Sequence, residues 1–210
     1  LFGSGSTSYR TAVIWAAVTT AAGCVAAMYL SVGLLKTFSG KGLVPEALIA
    51  QPLFLFAVSA GAGVTGLLAT RFGFPVSTTH VLTGTLLGAG WIAGEVNVEA
   101  LWGGFIKPLL LSPVLAVVAG AVIYLVLKML RLAPDHRTRT LDALHFLSAG
   151  AVCFARGMND TPKMAALLLG VGWLHGSTGM IMIAVAMAAG GLISAKQVAE
   201  TLAHKITDMN

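Results

Sequence analysis

"GFPVSTTHVLTGTLLGAG", residues 73–90, sets three consecutive hydroxyl residues and a histidine inside a chain that is otherwise almost uniformly apolar. Pro75 followed by Ser77, Thr78 and Thr79 predicts the N-terminal start of a short helix running toward Gly90. Such a start turns unpaired backbone N–H groups and the positive end of the helix dipole toward whatever lies before it. Small hydroxyls at that place add hydrogen-bond donors without adding a fixed charge.

The rest of the chain decides what surrounds this polar knot. Of 210 residues, 57% are hydrophobic and 10% charged, with a mean hydropathy of +0.87, whereas an ordinary globular domain carries roughly 25% charged residues. That is a membrane composition, and with the apolar spans that follow the expected fold is all-α and polytopic. Stretches 11–35, 51–70, 101–127 and 173–193 each reach the roughly 20 apolar residues that a bilayer-crossing helix needs. Segments 76–93 and 143–172 are interrupted by polar or helix-breaking residues. The net charge of +5 comes from thirteen Lys and Arg placed singly between apolar runs, which argues against a nucleic-acid surface. Cys24 and Cys153 lie far apart without ligand spacing and read as packing residues. Trp15, Trp91, Trp102 and Trp173 read as interface anchors or packing. No basic, apolar and small-residue leader pattern opens the chain, so a signal peptide is not expected.

The second interrupted segment contains "FARGMNDTPKMAALLLG", residues 154–170. Gly157 can end one helix in the left-handed conformation, and Asp160 or Thr161 can cap the next with Pro162 at its first position. This predicts two half-helices meeting at Asn159 and Asp160. Irregular backbone at membrane depth is tolerated where it is buried in protein or lines a watered cavity, so broken or re-entrant half-helices point to an ion or anion site near the midplane. Between the two polar segments, residues 128–142 carry Lys128, Arg131, Arg137 and Arg139. The positive-inside tendency places this linker in the cytoplasm and Glu95 and Glu99 on the opposite side.

The chain also matches itself. With a shift of 167, residues 1–23 lie over residues 168–190 with ten identities in 23 ungapped positions, among them Thr11/Thr178, Val18/Val185 and Gly23/Gly190. Two Ala- and Gly-rich stretches would match at two or three positions by composition, so a duplication of the kind built into secondary transporters is inferred. The same shift puts the counterpart of Asn159 and Asp160 before residue 1 and that of Ser77 beyond residue 210. The expected organisation is therefore a fragment: residues 1–127 as the later part of a first repeat, 128–142 as the linker, and 143–210 as the beginning of a second repeat.

"GFPVSTTHVLTG" resembles the Ser/Thr segment of the inorganic phosphate transporter (PiT) family, and "FARGMNDTPKMAALLLG" is similar to that family's Gly-x-Asn-Asp signature. The tail "AKQVAETLAHKITDMN" resembles the stretch leading to the family's second Ser/Thr segment. The resemblance implies an inverted-repeat carrier, not an enzyme, that moves inorganic phosphate by symport with sodium or protons across the plasma (inner) membrane, without other cofactors. Sulfate, or another oxyanion, is the alternative cargo. The lipid bilayer and phosphate are the implied partners, nucleic acid is not, and homo-oligomerisation is left open.

On this reading Ser77, Thr78 and Thr79 bind phosphate, although Ser and Thr in membrane helices also bond back to their own carbonyls. Asp160 is the carboxylate inside its apolar segment, and with the Asn159 amide oxygen it forms a cage for the coupling cation, sodium if the carrier is sodium-coupled; the plainer reading is a helix cap. His80 attracts the anion or packs as a neutral ring. Thr161, Lys163 and Arg156 flank the motif, the two cations either touching phosphate or snorkelling to the interface. Two other classes compete. An anion channel would equilibrate phosphate without a gradient, and an intramembrane hydrolase would use Ser77, His80 and Asp160, although no G-x-S-x-G elbow is present.

Overall fold

The structure is a computed structural model, and it describes residues 1–94, 96–130, 138–168 and 176–201. Residues 131–137 of the basic linker, with Arg131 and Arg137, as well as Glu95, Trp173 and residues 202–210 of the tail, lie outside the described residues. Among the described residues the regular elements are helices, with one isolated bridge between Lys41 and Val44.

The expected span 11–35 is two helices, α1 (Tyr9–Leu30) and α2 (Val32–Phe38). Ser31 leaves helical geometry at φ −116° and ψ 28°, a break at a Ser/Gly pair with Gly33, where helices commonly kink. A short turn, α3 (Glu46–Ile49), leads into α4 (Pro52–Phe72), which starts on Pro52 and stops at Gly73 in the left-handed conformation, φ 73°. The polar knot follows as predicted. Helix α5 (Thr78–Ile92) is capped by Ser77, whose Oγ accepts from the His80 N–H at 3.4 Å. Its 15 residues extend about 22 Å, short of the roughly 30 Å hydrocarbon core. A continuous helical run follows: α6 (Val98–Leu101), a π-helical turn over Trp102–Ile106, and α7 (Lys107–Met129).

Among the described residues three helical stretches are long and apolar enough to cross a membrane: Tyr9–Leu30, Pro52–Phe72 and Val98–Met129. Within α9 (Gly176–Thr201) the described apolar helix is Ser177–Ile193, and residues 173–175 of the fourth expected span lie outside the described residues. Along α7, Val114, Val117, Val122 and Ile123 stay exposed. An apolar face of that kind suits lipid or another membrane segment rather than water.

Segment 139–168 corrects the sequence reading most. It is one helix, α8 (Arg139–Leu168), and Gly157 keeps helical geometry within it. The glycine serves close approach instead of helix termination. A Cβ on Gly157 would collide with the Thr20 carbonyl oxygen, and one on Gly23 with the Phe154 carbonyl oxygen, so α1 and α8 cross backbone to backbone at a reciprocal glycine contact. Trp15 extends the same seam: its ring covers Gly150 and its Nε1–H donates to the Phe146 carbonyl at 2.9 Å. Helix α9 packs on both α1 and α8.

A second cluster gathers Phe38, Leu43, Phe54, Val58, Leu82, Leu86 and Phe105 around Ala166 and Leu167 of α8. It holds the start of α5 against the C-terminal half of α8. The two polar segments therefore meet, although 82 residues separate Thr78 from Asp160.

Candidate oxyanion site between two helices

The site is built where the N-terminus of α5 faces one side of α8. Because α8 is unbroken, Arg156, Asp160 and Lys163 fall at i, i+4 and i+7 and share a face. The half-helix junction expected at Asn159 and Asp160 would have dispersed these charges; the continuous helix aligns them.

Asp160 is buried and surrounded by donors. Its Oδ1 accepts from the Thr78 hydroxyl at 2.8 Å and from the Asn159 amide at 3.3 Å, and the Lys163 ammonium lies 3.7 Å away. Its Oδ2 faces the Arg156 Nε at 3.5 Å. The two cations are not equivalent. The Arg156 side chain is 68% exposed, and exposed pairs contribute about 0.2–1 kcal/mol. Lys163, 3% exposed, does not snorkel to an interface. Two unit charges about 4 Å apart attract by about 4 kcal/mol at an effective dielectric constant of 20. Lys163 is thus the principal counter-charge of Asp160.

The hydroxyls divide accordingly. Lys163 donates to Thr79 Oγ1 at 2.6 Å, which occupies a lone pair and leaves the Thr79 O–H free to donate. Ser77 is in the same condition, since its oxygen accepts from the His80 N–H. Thr78 instead spends its only hydroxyl hydrogen on Asp160. Two of the three expected phosphate donors are therefore available, and the third is engaged by the carboxylate.

A cavity of about 390 Å³ opens between these elements, lined by Thr70, Phe74, Pro75, Val76, Ser77, Thr78, Thr79, Arg156, Asn159 and Asp160. Ser77, Thr78, Thr79, Asn159, Asp160 and Arg156 come together on its wall, with Lys163 bonded to Thr79. His80 and Thr161 do not line it. His80 is exposed. The Thr161 hydroxyl is fully buried on another side of α8, donating to Cys24 Sγ at 2.9 Å and lying 3.6 Å from Met187 Sδ. Thr161→Val is accordingly expected to cost about 1 kcal/mol of stability, as checked by thermal unfolding. Thr70 and Phe38 escaped the sequence reading. Thr70, three residues before Gly73, carries a last-turn position as its signal, but nothing in the sequence marks Phe38, whose ring lies under the Lys163 ammonium at 5.5 Å.

With one carboxylate against a guanidinium and an ammonium, the site carries an excess positive charge beside free hydroxyl donors and a helix N-terminus. That combination suits an oxyanion. It does not suit a Ser-His-Asp hydrolase, because Asp160 bonds Thr78 and Ser77 receives a backbone N–H from His80.

Comparison with known proteins gives the same class. A family model described as the Phosphate transporter family matches residues 1–210. The chain belongs to that family. It is 28% identical over 213 residues to a "probable low-affinity inorganic phosphate transporter" of Rhizobium meliloti (strain 1021), covering 95% of this chain and 62% of the relative. It is 29% identical over 222 residues to a protein of the same name from Mycobacterium tuberculosis (strain CDC 1551 / Oshkosh), covering 98% and 52%. The chain thus spans about half to three-fifths of the length of these curated relatives. No solved structure matches it significantly. The family is one of transporters rather than enzymes, and with three membrane-length apolar helices the chain is part of an integral membrane protein.

Proposed function

We propose that the full-length protein bearing this chain is a secondary active carrier of inorganic phosphate, with the anion bound in the cavity between the start of α5 and the Arg156–Lys163 face of α8. The observation that carries the reading is the division of roles around Asp160: cations and Thr78 hold the carboxylate, while Ser77, Thr79 and the α5 N-terminus remain free for an oxyanion. Arg156, exposed and on the cavity wall, can turn its planar fork to a phosphate.

Coupling follows from charge. A cation that neutralises Asp160 in the company of Asn159 frees Thr78 to donate and releases Arg156 toward phosphate, so that the two ions are better tolerated together in a low-dielectric site than either alone. The short α5 acts as a re-entrant half-helix. Helices α1 and α9, which carry the matched stretches 9–23 and 176–190, are corresponding elements of two inverted repeats. Alternating access would then move one repeat against the other, with residues 128–142 on the cytoplasmic side of the plasma membrane.

The test is radiolabelled phosphate uptake by the full-length protein in proteoliposomes under an inward sodium gradient, an inward proton gradient, or neither. Accumulation driven by one gradient, with tenfold excess sulfate competing weakly, is the expected result. Gradient-independent equilibration would identify a channel, and stronger competition by sulfate would reassign the cargo.

A further inference from the structure

Lys163 has a role that its charge alone does not define. Its ammonium is enclosed on three sides by the groups that would surround a bound metal cation: the Asp160 Oδ1 carboxylate oxygen at 3.7 Å, the Thr79 hydroxyl oxygen at 2.6 Å, and the face of Phe38 at 5.5 Å. The Thr78 hydroxyl donates to the same Oδ1 at 2.8 Å. The side chain is 4% exposed, so its position is fixed by packing and not by chance contact at a surface.

We propose that Lys163 is a tethered counter-cation: its ammonium fills the place beside Asp160 that a sodium ion would take, so that this half of the carrier binds no sodium while Lys163 is present. Two physical points support this. A sodium ion needs oxygen ligands, and the Asp160 and Thr79 oxygens are already turned to the ammonium. A second cation placed within about 4 Å of that ammonium would also meet a repulsion equal in size to the attraction Asp160 offers it. The inference rests on reading Asp160 as the cation-balanced carboxylate of the site. It narrows the choice of coupling ion there by excluding sodium.

Deleting the ammonium should open the place it occupies. The experiment counts sodium ions bound per chain, by equilibrium dialysis with ²²Na⁺, on the full-length protein in detergent at constant ionic strength. Wild type and Asp160→Asn are expected to bind equal numbers, because no sodium sits at Asp160 to be lost. Lys163→Ala is expected to bind one more sodium than wild type, and Lys163→Ala/Asp160→Asn to return to the wild-type count. A sodium lost in Asp160→Asn, or none gained in a folded Lys163→Ala, overturns the proposal. The comparison of wild type with the isosteric Asp160→Asn stands even where Lys163→Ala does not fold. Phosphate uptake measured on the same wild-type preparation separates the two readings: absent phosphate flux removes the cargo assignment, while the sodium count alone judges the tethered cation.

Discussion

Replacing Asp160 by alanine in the full-length carrier is expected to lower gradient-driven phosphate uptake by about 100-fold or more, equivalent to roughly 3 kcal/mol at tenfold per 1.4 kcal/mol. Loss of the carboxylate removes the group at which a coupling cation would act and leaves Lys163 buried without its counter-charge. Breaking a buried ion pair from one side costs about 3–5 kcal/mol, so the thermal transition should fall as well. Stability and transport can be separated. The double variant Asp160→Ala/Lys163→Ala removes both buried charges and is expected to recover most of the lost stability without recovering uptake. Recovery of uptake together with stability would reduce Asp160 to a structural partner of Lys163.

Gly157→Ala is expected to be, with Gly23→Ala across the same crossing, among the most damaging single-methyl changes in the described structure. The added Cβ points into the Thr20 carbonyl, which is backbone and cannot rotate away, and the reciprocal contact of Gly23 on Phe154 would have to open with it. Overpacking a well-filled contact costs about 1–3 kcal/mol, and a collision with backbone at a helix crossing belongs to the exceptional class of about 4 kcal/mol or more. The expected readout is loss of monodisperse protein after detergent extraction. Gly120→Ala, on α7 where an added Cβ meets nothing within 4 Å, provides the control and is expected to leave yield unchanged. Equal yields for the two variants would contradict the assigned crossing.

These outcomes also mark what the sequence could convey. The start of α5 was legible because its determinants are local: Pro75, the Ser77 cap and the following threonines lie within one turn. Asp160 stood out for the same reason, as a lone carboxylate in an apolar run, and it is buried. Gly157 and Pro162 were misread as a helix break because their local propensities favour one. The partner that gives Gly157 its purpose, the backbone at Thr20, lies 137 residues earlier in the chain and is set by tertiary packing alone. Lys163 was expected to reach toward water, as lysines near apolar segments ordinarily do. Its burial depends on Thr79, 84 residues away, and on Phe38, neither of which any local pattern connects to it. The division of labour among Ser77, Thr78 and Thr79 was equally beyond reach, since all three offer the same chemistry until a carboxylate claims one of them.

The central claim, that phosphate occupies the cavity between α5 and α8, is most directly tested by site-specific labelling. In the full-length protein Cys24, Cys153 and every other cysteine would be replaced by serine, and a single cysteine introduced as Ser77→Cys, at an exposed position on the cavity wall. Reaction of this thiol with a small maleimide is then followed in phosphate and in an equal ionic strength of chloride. Slower labelling that depends saturably on phosphate is the expected result. A labelling rate indifferent to phosphate, in a preparation that still transports it, would place the anion elsewhere and contradict the site.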